Sequence, residues 1–84
     1  METEEKIMQL HRDIASKRGL HATYCPSEVA KAFAPEEWRD YMEIVREVAD
    51  SLVKKDELVV MQKGDIIEAN ATEAKGAIRL RLKK

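Results

Sequence analysis

The sequence contains few cysteine, proline, glycine and aromatic residues. It has one cysteine, two prolines, three glycines and four aromatic residues among its 84 residues. One cysteine cannot form an intrachain disulfide, and with two histidines it does not complete a tetrahedral zinc site unless a carboxylate joins them. We therefore expect a fold that depends on apolar packing and that holds no metal and no cofactor.

Long apolar runs are also absent from the sequence. The longest, at residues 58–61, has four residues, whereas a helix that spans a bilayer needs about 20. The first six residues are mostly acidic and polar and do not resemble the start of a secretory signal. The expectation is a cytoplasmic protein with no membrane partner.

What the sequence does contain is a globular composition, with 44% apolar and 37% charged residues. A chain of this length buries only about 60% of its unfolded surface, which does not suffice for two separate cores. Residues 1–84 are therefore predicted to form a single domain.

Three helices are predicted from apolar spacing and from their end signals. Apolar residues recur every three or four positions along the first segment, and Gly19 follows it in the position of a C-terminal cap. The second and third segments each place a proline at the first helical position, Pro26 and Pro35, with a glutamate where it can accept from free backbone N–H groups. The predicted bounds are 4–18, 26–33 and 35–55.

Two antiparallel strands are predicted at 58–62 and 77–82. The second strand alternates strictly, with Ile78, Leu80 and Leu82 on one face and arginines on the other. The apolar face is expected to join the core.

A turn separates these strands at residues 63–65, and residues 66–76 are predicted to form a long polar connection. The order of helix, extended link, two further helices and hairpin predicts an α+β winged helix. In this fold the C-terminal antiparallel β-hairpin is the wing.

The third helix is predicted to form the centre of the core. The residues expected to be buried are Trp38, Met42, Val45 and Leu52, in contact with Ile14, Phe33 and Leu80. Trp38 is interpreted as a core residue in preference to a stacking platform for a ligand. His11, beside the apolar stripe of the first helix, is expected to be a partly buried structural residue.

Cys25 has a reactive side chain at a predicted helix N-terminus, where the helix dipole favours a thiolate. A redox or nucleophilic role is one interpretation. The favoured interpretation is a poorly accessible structural residue, because cysteine is among the most often buried residue types. The sequence shows no paired carboxylates, phosphate loop or catalytic triad, so we expect no enzymatic activity.

Several short stretches can be compared residue by residue with known families. They are Arg18-Gly19, Thr23, Cys25-Pro26-Ser27-Glu28-Val29-Ala30-Lys31-Ala32, Trp38-Arg39, Met42, Val45-Arg46, Gln62-Lys63-Gly64 and Gly76-Ala77-Ile78-Arg79-Leu80. Together they resemble the bacterial DUF3253 family. Two positions depart from its pattern, because Lys31 replaces a usual arginine and Ala77 a usual proline. The resemblance implies a small winged-helix-like protein and brings no assigned activity.

Charge is distributed unevenly along the chain. Residues 75–84 contain five basic residues and no acid, whereas the residues before them carry a net charge of −6. The five are Lys75, Arg79, Arg81, Lys83 and Lys84. This asymmetry fits an anionic partner, and it fits equally a strand edge that lysine and arginine keep from pairing with other chains.

The first functional hypothesis is nucleic-acid binding through the basic wing. The candidate residues would contact the phosphates of DNA or RNA without reading the base sequence; they are Lys63, Lys75, Arg79, Arg81 and Lys83. Carboxylates at the start of the third helix weigh against insertion of that helix into a major groove.

The second hypothesis is a protein-interaction module. Its partner would contact either the exposed hairpin edge or the mixed-charge face of the third helix, where the candidates are Arg39, Glu43 and Arg46. Pairs spaced by four residues, Arg39 with Glu43 and Arg46 with Asp50, explain that face equally well as a solvated ion-pair surface.

Overall fold

The computed structural model describes residues 2–74 and 76–83. These residues form three α-helices, a short 3₁₀ helix and three strands. In chain order these are α1 (Glu2–Arg18), α2 (Pro26–Phe33), the 3₁₀ helix (Trp38–Tyr41), α3 (Met42–Lys54), β1 (Leu58–Gln62), β2 (Asp65–Ile67) and β3 (Arg79–Leu82). The fold is therefore α+β, as predicted.

The end of α1 and the start of α2 follow the local signals in the sequence. Gly19 has a φ of +77°, and its N–H donates to the Ala15 carbonyl at 2.9 Å, which closes α1. At the start of α2 the Cys25 N–H donates to the Glu28 carboxylate at 2.8 Å, and the Glu28 N–H donates to the Cys25 carbonyl at 3.0 Å. The predicted bounds of α2 are confirmed.

The third helix begins later than predicted. Pro35 lies in a turn and starts no α-helix; a single turn of 3₁₀ helix follows, and α3 begins at Met42. The tighter winding places residues three apart on the same side, and Tyr41 packs edge-on against Phe33 of α2 with ring centroids 4.9 Å apart. The contact joins the end of α2 to the 3₁₀ helix that precedes α3.

The sheet is antiparallel throughout, with the strand order β2-β1-β3. The predicted pairing of β1 with β3 is confirmed and places Leu58 opposite Leu82 and Val60 opposite Leu80. Tyr24, in the link between α1 and α2, pairs with Leu80 through two backbone hydrogen bonds of 2.8 and 2.7 Å. The link therefore covers the outer edge of β3.

In the described part of the chain the sheet has three strands, where the sequence predicted a two-stranded hairpin. Lys63 and Gly64 have φ values of +53° and +88°, which form the tight two-residue turn that joins antiparallel strands. Asp65, predicted as the end of the turn, and residues 66 and 67, predicted as the start of a polar connection, return along β1 as β2. The assignment as a winged helix stays a prediction.

The core lies between the three helices and one face of the sheet. Its buried residues are Ile7, His11, Ala15, Tyr24, Val29, Ala30, Val45, Val48, Ala49, Leu52, Leu58, Val60, Ala71, Ile78 and Leu80. Val45, Leu52 and Leu80 are buried as predicted. Trp38 and Met42, predicted to be largely buried, are half-buried and pack against the rim of the core, as do Ile14 and Phe33.

None of the helices among residues 2–74 and 76–83 has the length and hydropathy needed to cross a bilayer.

Candidate interaction face of the sheet

One face of the sheet carries a row of three side chains that crosses all three strands. Met61 of β1 stands opposite Ile66 of β2 on one side and opposite Arg79 of β3 on the other. Directly opposite residues in antiparallel strands share a face, and the core side belongs to Leu58, Val60 and Leu80. We call the other side, with Val59, Met61, Ile66, Arg79 and Arg81, the outer sheet face.

The outer sheet face is apolar along β1 and β2. Ile66 is 55% exposed, and Leu20, at 42%, is the other large apolar residue that the described chain leaves exposed. Leu20 lies beside this face, since its carbonyl accepts a 2.9 Å hydrogen bond from Nη1 of Arg81. The helices α1 and α3 pack against β3 and β1 on the core side. The exposed aliphatic side chains thus lie on the side of the sheet that the helices do not cover.

The two arginines of β3 lie across the link between α1 and α2. Arg79 donates from Nε to Oγ1 of Thr23 at 3.1 Å and from Nη1 to Sγ of Cys25 at 2.9 Å. Arg81 is half-buried, and its Nε has no hydrogen-bond partner among the described residues. Both side chains lie at the outer sheet face and brace the link.

The link is also held from α1 and α2. Nη1 of Arg18 donates to the Thr23 carbonyl at 2.8 Å, and its Nη2 pairs with the Glu28 carboxylate. The hydrogen bond from Arg18 lowers the pKa of Glu28, and the nearby charge of Arg79 lowers it further, while partial burial opposes both. Arg79 and Arg81 thus hold the link against β3, and Arg18 holds it against α1 and α2.

A buried histidine fixes the link from the core side. Nε2 of His11 lies 3.0 Å from the Val45 carbonyl, which can only accept, so Nε2 carries the proton. Nδ1 then accepts from the Tyr24 hydroxyl at 2.9 Å. Burial lowers the pKa of His11 to about 4, with partial opposition from the Val45 bond, and burial raises the pKa of Tyr24. His11 is fully buried, where the sequence predicted partial burial.

The remaining residues of the predicted basic wing do not join this face in one patch. Lys63 is exposed in the turn after β1, and Lys83 forms an ion pair with Asp56 at 2.8 Å just before β1. The five residues of β1 separate these two lysines by about 17 Å. Lys75 and Lys84 lie outside the described residues.

The predicted helix-face residues have partners other than those expected. Arg39 lies over the Trp38 ring at 5.1 Å from its centroid, and Arg46 donates to the Ala71 carbonyl at 3.4 Å. Glu43 is exposed. Neither predicted ion pair, Arg39 with Glu43 or Arg46 with Asp50, occurs among the pairs that the described part of the chain forms.

The loop after β2 lies on α3, which the sequence did not predict. The Asp50 carboxylate accepts from the Ala71 N–H, from the Thr72 N–H at 3.3 Å and from the Thr72 hydroxyl at 2.7 Å, and Ala71 is fully buried. A polar groove of about 530 Å³ remains between Thr72 and α3, with both signs of charge on its walls. The helix face is therefore partly covered by the chain itself.

Cys25 is half-buried at the start of α2 and accepts its hydrogen bond from Arg79. Within the described part of the chain, no three His, Cys, Asp or Glu side chains lie close enough together to hold a metal ion.

Residues 4–83 match the DUF3253 family model, which describes a protein of unknown function. The match spans every stretch that suggested the resemblance. No curated protein matches the chain in sequence.

Proposed function

The chain belongs to the DUF3253 family, which has no assigned activity, and we propose that it is a protein-interaction module whose partner binds the outer sheet face. The observation that carries the proposal is the row Ile66–Met61–Arg79, in which an aliphatic residue that is 55% exposed stands in line with a guanidinium. Methionine and arginine are enriched in protein interfaces, and arginine is among the residues that contribute most to binding.

The chemistry of this face defines the partner. Covering Ile66 and Met61 with aliphatic side chains of a partner would stabilise the complex, by about 25 cal/mol for each Å² of apolar surface removed from water. Arg79 and Arg81 retain N–H groups beyond those that bind the link, and a guanidinium prefers a carboxylate as its acceptor. The partner is therefore an acidic protein segment with aliphatic side chains.

Two observations favour this face over the alternatives. The mixed-charge face of α3 is partly occupied by the loop that Asp50 holds. Nucleic-acid binding through Lys63, Arg79, Arg81 and Lys83 stays a prediction, and the structure favours it less because two of the four cations lie at opposite ends of β1. Backbone phosphates would need them along one track.

Amide-shift titrations test the proposal with three probes: a short acidic peptide that contains leucines, the same peptide with serines in place of leucines, and a DNA duplex. We expect the leucine peptide to shift amides of β1, β2 and β3 at moderate salt, the serine peptide to bind more weakly, and the duplex to leave these amides unshifted. Shifts with the duplex alone would establish nucleic-acid binding instead, and shifts confined to α3 would establish the helix face.

Matched variants complete the experiment. Ile66→Ser removes the exposed aliphatic group, and Arg79→Gln removes one cation from the face, so both should weaken the leucine peptide. Lys6→Gln removes a cation from the exposed surface of α1 and should leave its affinity unchanged. Equal losses in Arg79→Gln and Lys6→Gln would mean that the peptide responds only to net charge.

A further inference from the structure

The sheet has one edge that the described chain leaves uncovered. The order β2-β1-β3 makes β2 and β3 the edges, and Tyr24 occupies the edge of β3 through its two backbone bonds to Leu80. Among the described residues, β2 has no such neighbour beyond β1. An uncovered edge strand is a template for pairing with another chain.

The turn geometry shows which backbone groups face outward on β2. In a two-residue hairpin the residues that flank the turn, here Gln62 and Asp65, form a hydrogen-bonded pair, and the next pair does not. That next pair is Met61 and Ile66. The N–H and the carbonyl of Ile66 therefore point away from β1 and toward solvent, beside a side chain that is 55% exposed.

We propose that two copies of the chain associate through their β2 strands, antiparallel about a two-fold axis at Ile66. At this register each Ile66 N–H donates to the Ile66 carbonyl of the second copy, so one symmetric pair satisfies both outward groups on each chain. The two Ile66 side chains then lie next to each other on the outer sheet face. The product is one continuous six-stranded sheet.

The charges beside β2 fit this register. Asp65 lies opposite Ile67 of the second copy, and Glu68 lies opposite Gly64, so no two like charges face each other. Lys63 is the neighbour of Gly64 and therefore lies close to Glu68 of the second copy, with the opposite charge. An axis at Asp65 would place two carboxylates directly opposite and would use backbone groups that already face β1. Both effects select the axis at Ile66.

The dimer is weak because its strand is short. A strand of three residues and the residues beside it bury much less accessible surface than a stable interface, which buries at least about 1,200 Å². We therefore expect reversible association with half-dimerisation at millimolar concentrations. This association does not depend on the proposed function. Binding of the acidic peptide to the outer sheet face can be measured at low concentration, where the chain is monomeric.

Proline at position 66 provides the sharpest test. Ile66→Pro removes an N–H that points away from β1. Natural edge strands tolerate proline at such positions, because the missing N–H would have faced solvent. The monomer should therefore fold, with an unchanged circular dichroism spectrum. We expect the wild-type chain to show concentration-dependent sedimentation and amide shifts at β2, Ile66→Val to retain both, and Ile66→Pro to lose both. A wild-type chain that stays monomeric at millimolar concentration, or concentration-dependent shifts away from β2, overturns the proposal.

A cross-link provides a second test that does not depend on the proline variant. In a Cys25→Ser background, Ile66→Cys places two thiols on directly opposite residues, about 5.5 Å apart at Cα, within the range of a disulfide. The control Glu68→Cys places them about 14 Å apart along the strands. Mild oxidation should give covalent dimers for Ile66→Cys and not for Glu68→Cys. Equal yields contradict the register and overturn the proposal.

Discussion

His11 and Tyr24 share a 2.9 Å hydrogen bond inside the core, which joins α1 to the link that supports the outer sheet face. The same histidine donates to the Val45 carbonyl of α3 at 3.0 Å. Tyr24 continues the connection through its backbone bonds to Leu80 of β3. One buried polar pair thus connects α1, α3, the link and the sheet, so its removal should affect stability throughout the domain.

The pH dependence of unfolding follows from the buried histidine. The pKa of His11 falls from 6.5 when unfolded to about 4 in the fold, so the unfolded chain binds the extra proton between these values. The free energy of unfolding therefore rises with pH over this window and falls as the pH drops from about 6.5 to 4. The fall should reach about 3 kcal/mol, from 1.36 kcal/mol for each pH unit.

Urea denaturation at a series of pH values measures this effect. In His11→Gln the free energy of unfolding should no longer fall as the pH drops from 6.5 to 4.5. His21→Gln, at an exposed position, should retain this fall. Glu28 and Glu57, whose pKa values are lowered by their arginine partners, lose their contributions only as the pH falls below 4.5. A wild-type chain whose stability is flat between pH 6.5 and 4.5 would contradict the assignment of a neutral buried imidazole.

Tyr24→Phe isolates the hydrogen bond from the packing. The ring and its burial remain, but Nδ1 of His11 loses its donor in a site without solvent access. An unsatisfied buried polar atom costs about 1–3 kcal/mol, and chemical denaturation should show a loss of this size. Tyr41→Phe, on a half-buried ring at the rim, is the matched control and should cost less than Tyr24→Phe.

The helix ends show how far local signals determine this fold. The order of cysteine, proline, serine and glutamate predicted the start of α2 correctly, because the Glu28 carboxylate bonds the backbone three residues earlier. The similar signal at Pro35 gave a wrong helix start. There the chain forms a turn and a 3₁₀ helix, with Tyr41 packed against Phe33 of α2, and a contact between residues in different elements leaves no trace in capping patterns.

The sheet and the outer sheet face also show which features follow from local sequence patterns and which follow from contacts between distant residues. β2 has three residues, too few for an alternating pattern to be distinguished from a polar connection that contains two isoleucines. The alternation of β3 correctly placed Arg79 and Arg81 on one face, away from Leu80. Their partners Thr23, Cys25 and Leu20 lie more than 50 residues away in sequence, so only the tertiary fold could show that these cations brace the link.

Core packing predicts a sharp contrast between two neighbours on α3. Leu52 is fully buried, whereas Val53 is half-buried at the side of the same helix. Leu52→Ala should lower the free energy of unfolding by about 2–5 kcal/mol, because the loss of buried methyl groups leaves a cavity. Val53→Ala should cost clearly less. Equal losses in thermal or urea denaturation would mean that the inward face of α3 is assigned wrongly.

Asp50 should control the position of the loop after β2. Its carboxylate accepts three hydrogen bonds from Ala71 and Thr72, and this is the contact that covers part of α3. Asp50→Ala should therefore increase hydrogen exchange at the amides of residues 70–73 and lower stability by about 1–3 kcal/mol, since Ala71 is buried and its N–H loses its acceptor. Asp50→Asn keeps an acceptor oxygen and should retain most of the protection. Glu47→Ala, one turn earlier at an exposed position of α3, should leave hydrogen exchange in the loop unchanged. Equal effects of Asp50→Ala and Glu47→Ala would show that the loop responds to the charge of the helix and not to this contact.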